Sequence, residues 1–118
     1  MKQDPANDRA RLQHMLDAAH KSQTFMAGKS RDDLDRDEVL SLAVTRLLEI
    51  IGEAATQVTV VFKSAHPEIP WGKMIGMRNF VIHAYFEVDM DVVWDTVTGD
   101  VKDLIRQLEA LVKVVDNA

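Results

Sequence analysis

The chain contains no cysteine among its 118 residues. That excludes disulfide staples and thiolate metal sites, and it fits a reducing compartment. Glycine and proline are scarce, at 5 and 3 residues, and two of the prolines, Pro67 and Pro70, sit close together. Long stretches therefore run without breakers, which points to helices. No apolar run approaches the ~20 residues that a membrane-spanning helix needs. Residues 1–9 lack the apolar core of a secretory signal, so the expected home is the cytoplasm. Positive charge is also short: 14 Lys and Arg stand against 19 Asp and Glu, a formal net charge of -5. Phosphate affinity comes from Lys and Arg, so an acidic body binds nucleic acid poorly unless cations gather in a local patch.

What is present reads as one globular domain spanning residues 1–118, with 47% hydrophobic and 28% charged residues. Leu12, Met15, Leu16, Ala19 and Met26 share a helical stripe, predicting a first helix from about residue 8 to about 27. Asn7 or Asp8 is placed to cap it, and Gly28 to stop it. Residues 28–36 read as a solvated, charged connection in which Leu34 is the only apolar anchor. A second helix is expected to start near Asp35 or Asp37. Its seam of Leu40, Ala43, Leu47, Ile50, Ala54 and Val61 carries it to about residue 65. The β-branched residues 56–62 are kept helical because the three-four spacing continues through them.

Residues 66–70 break the pattern, and Pro70 suits the first turn of a third helix over 70–85. Asp89 is a good cap for a fourth helix, lined by Val93, Val97, Val101, Leu104, Leu108, Leu111 and Val115. Thr98-Gly99 inside it predicts a kink. The expected architecture is all-α, an antiparallel up-and-down four-helix bundle. The second and fourth helices have apolar faces too broad for so small a bundle, which suggests a homodimer or a partner.

The chemistry concentrates in Arg78-Asn79-Phe80-Val81-Ile82-His83-Ala84-Tyr85. Each helical residue advances about 100°. Arg78 and Tyr85 then fall about 20° apart on one face, and Asn79 and His83 form a second stripe. Arg78 and His83 point about 140° away from each other. A straight helix in one chain does not focus them, so the helix bends or ends near His83, or a second chain completes the site. A two-fold dimer would place two Arg and two His around one cleft. These residue types suit phosphodiester cleavage. A histidine can take the proton of a ribose 2′-OH or give one to the leaving oxygen. An arginine can hold the phosphate and offset growing charge. Asn79 can orient His83 or a phosphate.

Elsewhere, Glu49 and Glu53 share a face of the second helix, where pairing with Arg46 or Arg78 is expected and Glu53 can help to orient Arg78. The paired Glu-x-x-His motifs of a carboxylate metal bundle are missing. Lys73 is the only additional cation on the third helix. His14, His20 and His66 read as surface residues, and Trp71 and Trp94 as core or interface anchors.

The segment from Gly76 to Tyr85, with Val88-Asp89 and Val93-Trp94 after it, resembles the signature of HepT-like proteins of the HEPN superfamily. Ile69-Pro70-Trp71 and the run from Arg46 to Ala55 resemble the same family upstream, and the likeness extends over nearly the whole chain. The resemblance implies a small helical dimer, joined through the motif helix region, that acts as the toxin of a type VII toxin–antitoxin module. It implies a metal-independent ribonuclease with no cofactor, an RNA substrate, and Arg78 and His83 as the catalytic pair at a dimer cleft. Asn79 and Glu53 would support them. It also implies a partner, the minimal nucleotidyltransferase MntA, that adenylylates the motif tyrosine, here Tyr85. An AMP there would set bulk and negative charge beside Arg78 and His83 and repel RNA phosphates. The alternative is a non-catalytic substrate-binding or regulatory subunit of that nucleotidyltransferase.

Overall fold

In the computed structural model the described residues are 7–78 and 88–118, and every regular element among them is helical. In chain order these are α1 (Asp8–Met26), α2 (Arg31–Arg36), α3 (Glu38–Gln57), α4 (Val60–Ala65), α5 (Trp71–Gly76) and α6 (Met90–Asp95). A π-helical turn (Thr96–Asp100) follows, and then α7 (Val101–Asp116). The long helices α1, α3 and α7 are amphipathic, and α1 lies between the other two, packing most extensively on α3 and then on α7. Leu12 and Met15 of α1, Leu48 and Ile51 of α3, and Leu104 and Leu108 of α7 are wholly or almost wholly buried at their seams. In α1 and α7 these are the stripes that the three-four spacing marks out. In α3 the buried face turns instead toward Val44, Leu48, Ile51 and Ala55, and of the expected seam Ala43 and Ile50 are only half-buried and Val61 is exposed. This burial is the main favourable term in the fold.

Both ends of α1 and the start of α3 fall where the sequence places them. Gly28 takes a φ of +74°, the left-handed region that closes a helix at low cost in glycine. Asp37 caps α3 by accepting from the Leu40 N–H at 3.1 Å, and Asp89 caps α6 by accepting from Asp91 and Val92. The expected kink at Thr98-Gly99 is the π-helical turn. There Gln23 of α1 donates to the Val97 carbonyl at 2.7 Å. The Thr96 and Thr98 hydroxyls donate back to Val92 and Trp94, also at 2.7 Å. Side chains thus take up carbonyls at the point where the α-helical register changes.

Two expectations are corrected. The connection at 28–36 is not a solvated loop throughout but carries α2. The Ser30 N–H donates to the Asp33 carboxylate at 2.7 Å, and that bond, foremost, holds the Asp33 carboxyl below its usual range. Leu34, only 2% exposed, pins the turn to the core. Arg31 then reaches Asp91 at 2.7 Å and joins α2 to α6.

The second correction is that the helix expected to reach residue 65 breaks at Val58. Val58 is extended and fully buried. Thr59 caps α4 by accepting from the Phe62 N–H at 3.2 Å. The Thr59 N–H and hydroxyl donate to the two oxygens of Asp8, at 2.9 and 2.7 Å, in a buried pair. Asp8 therefore serves this corner instead of the α1 terminus. Apolar spacing cannot report such a break, because Val58 stays buried on both descriptions and the polar partner lies 51 residues away.

Of the third helix expected over 70–85, only Trp71–Gly76 is helical among the described residues, as α5, and Met77 and Arg78 form a turn instead of continuing it. Residues 79–87, among them Asn79, His83 and Tyr85, lie outside the described residues. No described helix is long and apolar enough to cross a membrane.

Candidate active site

The site begins with a close approach. A β-carbon on Gly52 would lie 2.5 Å from the Arg78 nitrogen, 2.8 Å from the Met74 carbonyl oxygen and 3.1 Å from the Arg78 β-carbon. The backbone at the end of α5 thus rests directly on α3, which only a residue without a side chain permits. Met74 and Met77 are buried beside the contact and fix the turn. Arg78 is thereby delivered, half-buried, to the rim of an open cleft of about 700 Å³ between α1 and α3.

Three elements line this cleft. From α1 come Arg11 and His14, three residues apart on one face. From α3 come Glu53 and Gln57, four apart, above a floor of Ile50 and Ala54. Arg78 closes the third side. Two guanidiniums therefore face one carboxylate in a chain whose net charge is -5. This is the local basic patch that an acidic chain needs in order to bind phosphate.

Both arginines are available. Among the described residues, neither Arg11 nor Arg78 has a carboxylate within ion-pair distance, and the Nε of Arg11 is buried with no acceptor. Glu49 pairs with Arg46 and is buried, while the second oxygen of Glu49 has no partner among the described residues. That satisfies one of the expected pairings and leaves Glu53 to share the cleft with Arg78. Lys73 does not enlarge the basic patch, because it reaches away to Asp100 at 3.6 Å.

Of the residues singled out in the sequence, Arg78 and Glu53 are brought together here. Asn79, His83 and Tyr85 lie outside the described residues. Sequence reasoning missed Arg11 and treated His14 as bland surface. The signal was available, since both flank the buried stripe of Leu12 and Met15 and so must line whatever groove α1 forms with its neighbour. His20 does lie on the surface and meets Glu109 at 3.2 Å. His66 does not fit the surface reading: it is half-buried, its ring sits 4.5 Å from that of Phe62, and its carbonyl accepts from the Trp71 indole N–H at 2.9 Å. Trp71 is buried, as an anchor should be.

The family described as "Ribonuclease HepT-like" matches residues 15–111. The chain belongs to the HepT-like ribonuclease family. A protein of Thermococcus cleftensis named "Probable ribonuclease HepT" is 41% identical over 102 residues, which cover 86% of this chain and 93% of the relative. "Putative RNase TTE0752" of Caldanaerobacter subterraneus subsp. tengcongensis is 33% identical over 102 residues, covering 86% and 91%. "Putative RNase MJ1380" of Methanocaldococcus jannaschii is 33% identical over 101 residues, covering 86% and 93%. No solved structure matches the chain significantly. The family match spans Gly52, Glu53 and the motif from Arg78 to Tyr85, and it begins after Arg11 and His14 of the HepT-like chain.

Proposed function

We propose that this HepT-like chain is a metal-independent endoribonuclease and the toxin of a type VII toxin–antitoxin module. The observation that carries the reading is Arg78. It is held by a backbone contact, lacks a carboxylate partner among the described residues and faces a cleft with surplus positive charge. It also opens the Arg78–His83 motif of a ribonuclease family.

In this reading His83 removes the proton of a ribose 2′-OH, and the 2′-oxygen attacks the adjacent phosphorus. The bond to the 5′-oxygen breaks, and that oxygen takes up a proton. A 2′,3′-cyclic phosphate and a 5′-hydroxyl result. Arg78 holds the phosphate and offsets the charge that grows on its oxygens. Asn79 and Glu53 orient the pair.

The motif helix completes a four-helix bundle and packs against its mate in a homodimer, which brings two Arg78–His83 sets to one cleft. Exposed apolar side chains on α3 and α4, among them Val39, Leu42 and Val61, support a protein partner. The enzyme works in the cytoplasm and is restrained by an MntA-type nucleotidyltransferase that adenylylates Tyr85.

Expression of the wild-type chain should arrest growth, and His83→Ala should abolish arrest and RNA cleavage while circular dichroism stays unchanged. A folded His83→Ala protein that is equally toxic would refute the assignment. Co-expression with the nucleotidyltransferase should add the mass of AMP, and Tyr85→Phe should prevent it. A purified chain that binds the nucleotidyltransferase but cleaves no RNA would establish the non-catalytic reading instead.

A further inference from the structure

We propose that α1 supplies a second phosphate-binding position in the cleft, with Arg11 holding a phosphodiester next to the one held at Arg78. The inference rests on the ribonuclease reading and specifies its substrate: a single-stranded RNA presenting at least two successive backbone phosphates.

The seven arginines of the chain fall into different environments, and Arg36, exposed on α2 and also without an ion pair among the described residues, is left to solvent. Arg9, Arg31, Arg46 and Arg106 are ion-paired, with Asp116, with Asp91 and Asp35, with Glu49 and with Asp103. Arg11 and Arg78, which share the cleft, have no such partner among the described residues. For Arg11 this is costly. A guanidinium carries five N–H donors and accepts nothing, and a buried donor without an acceptor loses its hydration for no return. The Nε of Arg11 is in that position. An anion with several acceptor oxygens would answer it, and a phosphate matches the fork of a guanidinium.

Arg11 is also held in place. It sits between Asp8, which is locked to Thr59, and the fully buried Leu12 and Met15. The backbone that carries the donor is thus fixed before a ligand arrives, which lowers the ordering cost of binding. A cleft of about 700 Å³ has room for more than the single phosphate at Arg78. His14, one turn further along α1, continues the lining toward solvent. Arg11 touches a phosphate that does not react, so it contributes to substrate binding and leaves the chemical step to the motif.

Two measurements on the full-length protein test this. The first is binding of a fluorescein-labelled single-stranded RNA with 2′-O-methyl riboses, which no 2′-OH mechanism can cleave, followed by anisotropy over a range of salt. Arg11→Gln should weaken binding several-fold and lower the log–log salt slope by about 0.7, the value of one phosphate contact on a single strand. Arg11→Lys should restore the slope and part of the affinity, because it keeps the charge and loses the fork. The second is cleavage. Arg11→Gln should raise KM for an oligonucleotide several-fold more than KM for a dinucleotide with one phosphodiester, and should raise KM more than it lowers kcat. Equal changes for the two substrates would overturn the second position.

Unchanged affinity and salt slope in Arg11→Gln would overturn the inference while leaving the ribonuclease reading intact. A wild-type chain that binds RNA without cleaving it would remove the ribonuclease reading, and the salt slope of Arg11→Gln would still decide whether Arg11 contacts phosphate. A chain that neither binds nor cleaves RNA would overturn both.

Discussion

Gly52 and Arg78 touch through their backbones: a β-carbon at position 52 would stand 2.5 Å from the Arg78 nitrogen. An interior glycine ordinarily weakens a helix by about 1 kcal/mol relative to alanine. Here it lets α5 approach α3 closely enough to set Arg78 at the cleft.

Gly52→Ala should therefore reverse the usual sign. Helix propensity favours alanine, but the added methyl meets two backbone atoms, Arg78 N and Met74 O, rather than the flexible end of a side chain. Overpacking of this kind costs about 1–3 kcal/mol. Chemical denaturation should show net destabilisation, and RNA cleavage should fall further than stability alone explains, because the displaced turn carries Arg78. An alanine variant more stable than wild type would show that the close contact carries no cost.

Arg78→Ala should separate activity from stability. The side chain is half-buried and pairs with no described carboxylate, so its removal strands no buried charge. The denaturation midpoint should hardly move, within about 0.5 kcal/mol. Cleavage should drop by about 10²–10³ in kcat if the guanidinium stabilises the transition-state phosphate. Arg78→Lys should recover only part of the loss, since an ammonium lacks the two-pronged fork. An equal loss of stability and activity would indicate scaffolding instead.

How much of this was legible in the sequence follows from what each signal measures. The three-four spacing of Leu12, Met15, Leu104 and Leu108 reports burial, and those residues do form the core. The seam read for the second helix is displaced: Ala43 and Ile50 are half-buried and Val61 is exposed, while Leu48 and Ile51 are buried. Caps written in local chemistry, such as Asp37, Asp89 and Gly28, were equally readable. The break at Val58 was not, because its cause is the pair between Thr59 and Asp8, remote in sequence. Helix α2 was hidden because a single anchor, Leu34, gives no period. At the cleft, Arg78 and Glu53 could be named from their motifs. Arg11 could be placed beside the Leu12–Met15 stripe, at the edge of a groove, but what it faces there depends on α1 lying beside α3, and no spacing within α1 encodes its neighbour.

The corner built by Asp8 and Thr59 should be a cooperative unit. Both residues are buried, at 5% and 7% exposure, and they share two hydrogen bonds. Thr59→Ala removes the hydroxyl donor to Asp8 and the cap on Phe62, and should cost about 1–3 kcal/mol. Asp8→Ala should cost a similar amount by stranding the Thr59 donors. In a double-mutant cycle the two losses should fall well short of additive. Strict additivity would mean that the two residues act independently.

The two chain ends offer a test in acid. Arg9 of α1 grips Asp116 of α7 with two hydrogen bonds, at 2.7 and 3.1 Å. The bond from Arg9, foremost, lowers the Asp116 pKa below its ordinary 3.8. A carboxyl depressed on folding stabilises the native state above its unfolded pKa, and that contribution is lost as pH falls through the folded value. Asp116→Asn should therefore be less stable than wild type at neutral pH, by a small margin because the pair is exposed and screened by salt. The difference should persist down to about pH 4 and close at lower pH, where wild-type Asp116 is itself neutral. Urea titrations of both proteins at pH 7 and near pH 2.5 would check this. A gap that stays constant across the two pH values would show that Asp116 contributes through packing or capping of α7 rather than through its charge.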